Sequence, residues 1–209
     1  MYTLGQEIEI FPTKIYEAYY DDFEIIQNDL LDIINPHFEN IADGNQYFNS
    51  DGTPCIIRTG NFLHQDPKLK FIVDFVEFHL KEYWKSYNLT KRVDPYILSM
   101  WANNIPPNGF TPSHNHNPVP IAGVFYVNAT SDQGDLFLEN PLEIAEGRMP
   151  RDYSYNPLLL VEKIKVIPGK LVLFPGWLGH HTRSNMSKEN RYVLGFNLGA
   201  WLDFKPKPL

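Results

Sequence analysis

The stretch PGKLVLFPGWLGHHTRSNMSKENRYVLGFN, residues 168–197, decides the fold class. It contains two short segments rich in β-branched and aromatic residues, KLVLFP and RYVLGFNL, and turn-forming residues separate them. Two histidines, His180 and His181, follow the first segment after a short turn. The pattern predicts two strands of a β-barrel with imidazole side chains near the end of one of them.

Further short β-prone segments precede this stretch. They are DPYILSMWAN (94–103), IAGVFYVNA (121–129), GDLFLEN (134–140) and VEKIKVI (161–167). Several short strands separated by Pro, Gly and Asn predict a sandwich or jelly roll, in which two sheets wrap into one barrel. Residues 140–156 show no clear period, so we expect a long loop there, over the mouth of the barrel.

The first part of the chain is instead rich in helical patterns. Apolar residues recur every three or four positions in residues 22–35 and again in 67–87. Asp21 and Asp22 are candidate N-caps of the first helix, and Pro36 is its candidate terminator. The expected fold is α+β, a double-stranded β-helix (jelly-roll or cupin-like barrel) with N-terminal helices packed on one sheet. Residues 1–209 are expected to form one domain, helix-rich over 1–93 and barrel over 94–209.

Composition excludes several classes of protein. The 209 residues contain 43% hydrophobic side chains, which is enough for a sizeable core. The formal net charge is −7 and there is no dense basic run, which argues against a nucleic-acid partner. Cys55 is the only cysteine, so an internal disulfide is impossible and a reducing cytoplasm is the expected location. No apolar run predicts a signal peptide or a membrane span.

The clustering of histidines is the main chemical signal. His114 and His116 precede the strand IAGVFYV, and residues i and i+2 of an extended segment point to the same side. If the two strands are neighbours in the barrel, His180 or His181 can supply a third imidazole. Three neutral imidazoles predict a site for Fe, Zn, Cu or Ni with positions left open for water or substrate.

Arg191 is the second signal. Along RYVLGFNL the alternate apolar residues are expected to face the helices, which leaves Arg191 pointing into the barrel. A buried guanidinium without a partner is costly, so it should bind an anion. That anion is either a carboxylate of the protein or a bound carboxylic acid.

Five segments of the sequence carry a family resemblance: IEIFPTKIY (8–16), SMWANNIPPNGFTPSHNHN (99–117), GDLFLENP (134–141), PGKLVLFPGWLGHHTRSN (168–185) and RYVLGFN (191–197). In order and spacing the chain resembles the phage and marine-bacterial branch of the 2-oxoglutarate/Fe(II)-dependent oxygenases. The resemblance places the distal metal histidine on His180. It also places the arginine that holds the distal carboxylate of 2-oxoglutarate on Arg191.

The resemblance implies that His114, His116 and His180 bind Fe(II) and carry the catalysis. The usual motif of the superfamily is His-x-Asp followed by a distal histidine, whereas this branch commonly has His-x-His, as here. A carboxylate of Asp135 or Glu139 is the alternative second ligand. The implied activity is that of a dioxygenase, which uses O2 and 2-oxoglutarate to hydroxylate an acceptor and releases succinate and CO2.

Three further residues are candidates for contacts with the cosubstrate: Asn103, Tyr126 and Asn197. A purely structural role is open for each of them. Two other functions compete, a three-histidine cupin-like enzyme that needs no keto acid and a jelly-roll binding module without activity. The expected partners are a small-molecule cosubstrate and an acceptor that the sequence does not identify, with no membrane. The expected location is the cytoplasm, or the host cytoplasm if the protein is encoded by a phage.

Overall fold

The computed structural model describes residues 12–39, 46–87, 94–130, 132–141 and 161–200. These ranges contain helices α1 (Phe23–Ile34) and α2 (Lys70–Ser86). Their strands are β1 (Tyr16–Tyr19), β2 (Gln46–Phe48), β3 (Pro54–Arg58), β4 (Tyr96–Ile105), β5 (Ile121–Asn128), β6 (Leu136–Glu139), β7 (Val161–Ile164), β8 (Lys170–Pro175), β9 (His180–Thr182) and β10 (Arg191–Gly199).

The described strands form two antiparallel sheets. The larger sheet has the order β1-β8-β5-β10-β4-β3-β2, and the smaller one has the order β7-β6-β9. Strand β10 lies between β4 and β5, so Val193 pairs with Asn103 on one side and with Tyr126 on the other. This register brings residues from three strands of the larger sheet to one place.

The two helices match the predicted periods. The Asp22 side chain makes no capping hydrogen bond, contrary to expectation, and Asp22 has a positive φ of 52°. The α-helix ends at Ile34, just before Pro36 as expected, and a 3₁₀ helix follows over Asn35–Phe38. Another 3₁₀ turn, Pro67–Leu69, precedes α2, and the Asp66 side chain accepts from the Lys68 N–H there.

One core layer lies between the helices and the larger sheet. Leu30 of α1 and Val76 of α2 are fully buried in it, together with Leu194 and Phe196 of β10. Apolar residues recur about every 3.6 residues on the helices and every 2 residues on the strand, so each element turns one apolar face toward the core. The predicted packing of N-terminal helices on one sheet is confirmed.

A second core layer lies on the other face of the larger sheet, against the smaller sheet. Val172 and Phe174 of β8 belong to this layer, whereas Leu171 and Leu173 belong to the first. The same alternation along β10 puts Val193 on the inner side of the barrel. The candidate functional residues project into this second layer.

The fold class predicted from the sequence is confirmed, and all six predicted strand segments contain strands. Strands β1, β2 and β3 were not predicted, although they extend the larger sheet with residues from the helix-rich part. The predicted loop over residues 140–156 lies almost wholly outside the described residues. In the described part of the chain, no helix is long and apolar enough to span a membrane.

Candidate active site

Three histidines converge between the two sheets. His114 and His180 form an isolated antiparallel bridge, with N···O distances of 3.1 and 2.9 Å in the two directions. His116 is held by a backbone bond to the Gly176 carbonyl at 2.7 Å. One potential ligand atom from each ring lies within 4.8 Å of the other two. The arrangement can therefore hold one metal ion.

Backbone carbonyls fix the tautomers of two rings. His114 Nδ1 lies 2.9 Å from the Pro112 carbonyl oxygen, and His180 Nδ1 lies 3.0 Å from the Leu178 carbonyl oxygen. A carbonyl oxygen can only accept, so both Nδ1 atoms must donate. The lone pair of each neutral ring is then on Nε2, where it is available to a metal.

An amide performs the same task for the third ring. His116 Nδ1 lies 2.6 Å from Asn197 Oδ1, and Asn197 Nδ2 donates to Ser99 Oγ at 2.9 Å. The bond to Ser99 keeps the amide oxygen turned toward the imidazole. His116 therefore also presents Nε2 as its free nitrogen, and Asn197 supports this ring directly.

Burial keeps two of the imidazoles neutral. Desolvation, followed by repulsion from His114, lowers the pKa of His180 to about 3. Desolvation also lowers the pKa of His116, although the hydrogen bond to Asn197 opposes this shift. Neutral imidazole is the form that binds a metal, so both rings are prepared for ligation at physiological pH.

We expect the metal-free protein to lose stability as the pH falls from about 7 toward 5. The ordinary pKa of histidine is 6.5, whereas that of His180 is about 3 in the folded state. Between these values the unfolded chain binds a proton that the folded chain does not, at a cost approaching about 1.4 kcal/mol per pH unit. Urea unfolding at several pH values measures this slope. His180→Gln should flatten it, and an unchanged slope in that variant would contradict the expectation.

The neighbouring His181 does not join the group. Its Nδ1 lies 2.9 Å from Glu139 Oε1, and its ring stacks on Phe137 with a centroid distance of 5.3 Å. The carboxylate of Asp135 forms an ion pair with Lys163 at 2.6 Å. Among the described residues, the convergent group thus contains His180 rather than His181, and neither of the two candidate carboxylates.

Next to the histidines lies a small space of about 70 Å³, here called the inner cavity. Arg191 is 1% exposed and lines it. Its Nη1 donates to the Gln133 carbonyl at 2.6 Å and to the Gly134 carbonyl, and its Nη2 donates to Thr182 Oγ1 at 3.0 Å. Its Nε is buried without a partner.

Two N–H donors of the Arg191 guanidinium are not used by these hydrogen bonds. Of its five N–H groups, these bonds use three, which leaves the Nε hydrogen and one Nη2 hydrogen. Among the described residues, no carboxylate forms an ion pair with it, so the alternative of a protein carboxylate as its partner is not observed there. Burial lowers the pKa of Arg191, which is the sign of a charge held away from water.

Asn103 and Tyr126 also line the inner cavity. The Oδ1 atom of Asn103 is buried and has no hydrogen-bond partner. Desolvation raises the pKa of Tyr126, so its hydroxyl stays protonated and can donate. Asn197 lies outside this cavity, behind His116, so the structure separates it from the other candidate cosubstrate residues.

A wider space of about 460 Å³, here called the outer groove, opens beside His114 and His116. It shares Trp101 and Asn103 with the inner cavity, but it contains neither His180 nor Arg191. The groove is lined by Tyr47, Ile56, Arg58, Trp101, Asn103, Thr111, Pro112, His114, Asn115, His116, Asn117, Val119 and Asn197. The histidines therefore stand at the junction of two spaces.

The absence of a side chain at position 195 makes room for Trp101 at this junction. A Cβ on Gly195 would meet the Trp101 indole at 2.5 Å, and this indole stacks on His116 with a centroid distance of 5.9 Å. We expect Gly195→Ala to destabilise the fold by about 1–3 kcal/mol and to weaken metal binding, because the indole must shift. Urea unfolding and metal titration measure both effects. Gly60→Ala is the control, since nothing lies within 4 Å of its Cβ; equal effects in both variants would contradict the prediction.

Sequence reasoning missed three residues of this site. Arg58 and Ser99 give no local signal, because only the sheet register brings them to the histidines. Thr182 carried a usable signal, since it follows His180 by two positions on β9 and must point to the same side. Its hydroxyl receives both the Arg191 guanidinium and the Thr111 N–H.

Comparison with known proteins found a family model that is similar to part of the chain. Residues 99–197 match the family model described as "Putative 2OG-Fe(II) oxygenase". This match spans 99 of the 209 residues, just under half of the chain. The matched range contains His114, His116, His180 and Arg191, so the family match and the convergent site lie in the same segment. A search of curated proteins found no match.

Several solved structures have a similar fold. AviO1 from Streptomyces viridochromogenes Tue57 has a TM-score of 0.63 at 13% identity, over 94% of this chain and 93% of that one. HygX from Streptomyces hygroscopicus, crystallised with nickel and 2-oxoglutarate bound, has a TM-score of 0.60 at 12% identity, over 90% and 83%. A Pseudomonas putida prolyl-4-hydroxylase has a TM-score of 0.60 at 13% identity, over 91% and 94%. At such identities the likeness shows the fold.

The cofactors that the matched family implies are Fe(II) and 2-oxoglutarate, and the residues present fit both. Three imidazoles with free Nε2 atoms suit a divalent first-row metal. The unpaired Nε of Arg191 in the adjoining cavity suits an anionic cosubstrate.

Proposed function

We propose that the protein is an Fe(II)- and 2-oxoglutarate-dependent dioxygenase that hydroxylates an acceptor and releases succinate and CO2. One observation carries the proposal: three convergent imidazoles and a buried arginine with unused donors line the same cavity. A cupin-like enzyme without a keto acid has no use for that arginine. The phage and marine-bacterial origin and the cytoplasmic location stay predictions.

In this proposal His114, His116 and His180 hold the iron through their Nε2 atoms. Hydrogen bonds at all three Nδ1 atoms orient the rings before the metal arrives, which lowers the entropic cost of ligation. The three ligands are neutral, so the site keeps the full charge of the metal. A dianionic cosubstrate compensates that charge better than a neutral one does.

Arg191 holds the distal carboxylate of 2-oxoglutarate through the Nε and Nη2 hydrogens that no atom of the described residues uses. The Gln133 and Gly134 carbonyls and Thr182 fix the plane of the guanidinium, so this pair of donors is oriented in advance. Asn103 and Tyr126 are the polar groups that remain for the cosubstrate. The bound iron and cosubstrate supply the oxidising chemistry, in which O2 is consumed and one oxygen atom goes to the acceptor.

The apolar lining of the inner cavity protects this chemistry. Leu136 and Phe174 come from opposite sheets, and Val193 lies between Asn103 and Tyr126. These side chains exclude water around the cosubstrate, which strengthens the charge interactions there. The outer groove leaves the other side of the site accessible to an acceptor.

Anaerobic titration of the Fe(II)-loaded protein with 2-oxoglutarate tests the proposal. We expect the weak visible charge-transfer band of the iron chelate to appear and to saturate. On admission of O2, succinate should form, and an acceptor should increase its yield. Iron binding without this band would support the keto-acid-independent three-histidine enzyme. Failure to bind iron at all would support the binding module.

A further inference from the structure

We propose that the outer groove binds a small acceptor carrying a carboxylate or phosphate group, and that Arg58 binds this anion. The inference rests on the proposed function, because it names the substrate class of the same site. Arg191 and the inner cavity take no part in it. The outer groove is a second space beside the histidines, and Arg58 is the cation in its lining.

Arg58 is held in place over the site. It ends β3, and the register pairs it with Asn103 of β4. Its guanidinium carbon lies 4.0 Å from the centre of the Trp101 ring, and the other partner of that ring is His116. Cation–π contacts of this kind favour a fixed guanidinium plane. The charge of Arg58 is therefore positioned one indole ring away from a candidate metal ligand.

The bonds of Arg58 leave its charge uncompensated. Its Nη2 donates to Asn61 Oδ1 at 2.6 Å, and the Tyr47 hydroxyl is a second partner. Both partners are neutral, and no described carboxylate forms an ion pair with Arg58. A half-buried cation with neutral partners keeps donors and electrostatic potential for an anionic ligand.

The rest of the groove has the same electrostatic character. No Asp or Glu is among the described residues that line it, although the chain carries 25 acidic residues against 18 basic ones. Uncharged polar side chains such as Asn115, Asn117 and Thr111 surround the arginine instead. An anion entering the groove therefore meets the charge of Arg58 without an opposing carboxylate from the described lining.

The size of the groove favours a small molecule over a polymer. Its volume of about 460 Å³ falls within the range of about 300–1,000 Å³ that small-molecule sites occupy. A net charge of −7 also repels long polyanions from the molecule as a whole. A compact acceptor with one anionic group satisfies both conditions.

Calorimetric titration with matched probes tests this inference. The probes are benzoate against benzamide, and phenyl phosphate against phenol. The protein carries Mn(II) and saturating 2-oxoglutarate, so the inner cavity is filled. We expect the preferred anion to bind about 10-fold or more tightly than its neutral counterpart, because one charge-assisted contact is involved. Enhanced relaxation of the probe protons by Mn(II) should place the bound anion beside the metal.

Variants assign the preference to Arg58. Arg58→Gln should abolish the difference between anion and neutral probe, whereas Arg58→Lys should retain part of it because the charge remains. Arg183→Gln is the matched control: this exposed arginine lies over Phe137 outside the groove, and its loss should change nothing. Urea unfolding of each variant checks that the fold is intact.

Two results overturn the inference. The first is wild-type protein that binds anionic and neutral probes equally or binds neither anion. The second is the same anion preference in Arg58→Gln as in wild type, which would mean that the metal alone attracts the anion. Binding of metal and 2-oxoglutarate is measured first on the same sample. If that binding fails while Arg58 still selects anions, the proposed function is wrong and the anion site stands.

Discussion

His180→Ala is expected to abolish metal-dependent turnover and to weaken metal binding by about 100-fold or more. His180 is the most buried of the three histidines at 6% exposed, and its Nδ1 is already bonded to the Leu178 carbonyl. Alanine removes one of three ligand nitrogens, and two imidazoles form a far weaker site. Metal content after dialysis and succinate formation measure the two effects.

His181→Ala is the matched control for this prediction. It deletes the same side chain at the next position, but the His181 ring is bonded to Glu139 and stacked on Phe137. We expect this variant to retain metal and turnover. The opposite outcome, with loss of metal in His181→Ala and retention in His180→Ala, would show that the distal ligand had been assigned to the wrong histidine.

The barrel and its histidines could be predicted because their signals are local. Along β10 the alternation of apolar and other residues is clear enough to place Arg191 inside the barrel without a structure. The i, i+2 spacing of His114 and His116 likewise fixes their common direction. In both cases the residue types alternate with a period of two, which is also the period with which side chains alternate between the two faces of a strand.

The features that could not be predicted depend on long-range pairing. Strand β3 lies in the part of the chain that is dominated by helical patterns, and only its pairing with β4 brings Arg58 over Trp101. Asn197 was a candidate for binding the cosubstrate, but the register turns its amide toward His116 and Ser99. No periodicity in the sequence distinguishes these partners from others on the same face.

Arg191→Met is expected to raise the concentration of 2-oxoglutarate needed for half-maximal turnover by about 100-fold or more. Two charge-assisted hydrogen bonds to the cosubstrate carboxylate are lost, each worth about 1.5–3 kcal/mol. Methionine fills part of the same buried volume, which limits the cavity that the substitution leaves. Metal binding should be retained, because Arg191 contacts none of the three histidines among its described hydrogen bonds.

Two further variants separate cosubstrate binding from a structural effect of Arg191. The guanidinium also ties the Gln133 and Gly134 carbonyls together, so Arg191→Met is expected to lower the free energy of unfolding as well. Thr182→Val keeps those bonds and removes only the hydroxyl that orients Nη2, and it should give a smaller rise in the 2-oxoglutarate requirement. The exposed Arg183→Met should give none. If Arg191→Met folded with normal 2-oxoglutarate affinity, the arginine would serve the loop after β5 alone, and the cosubstrate would have to be held by the metal and the amides.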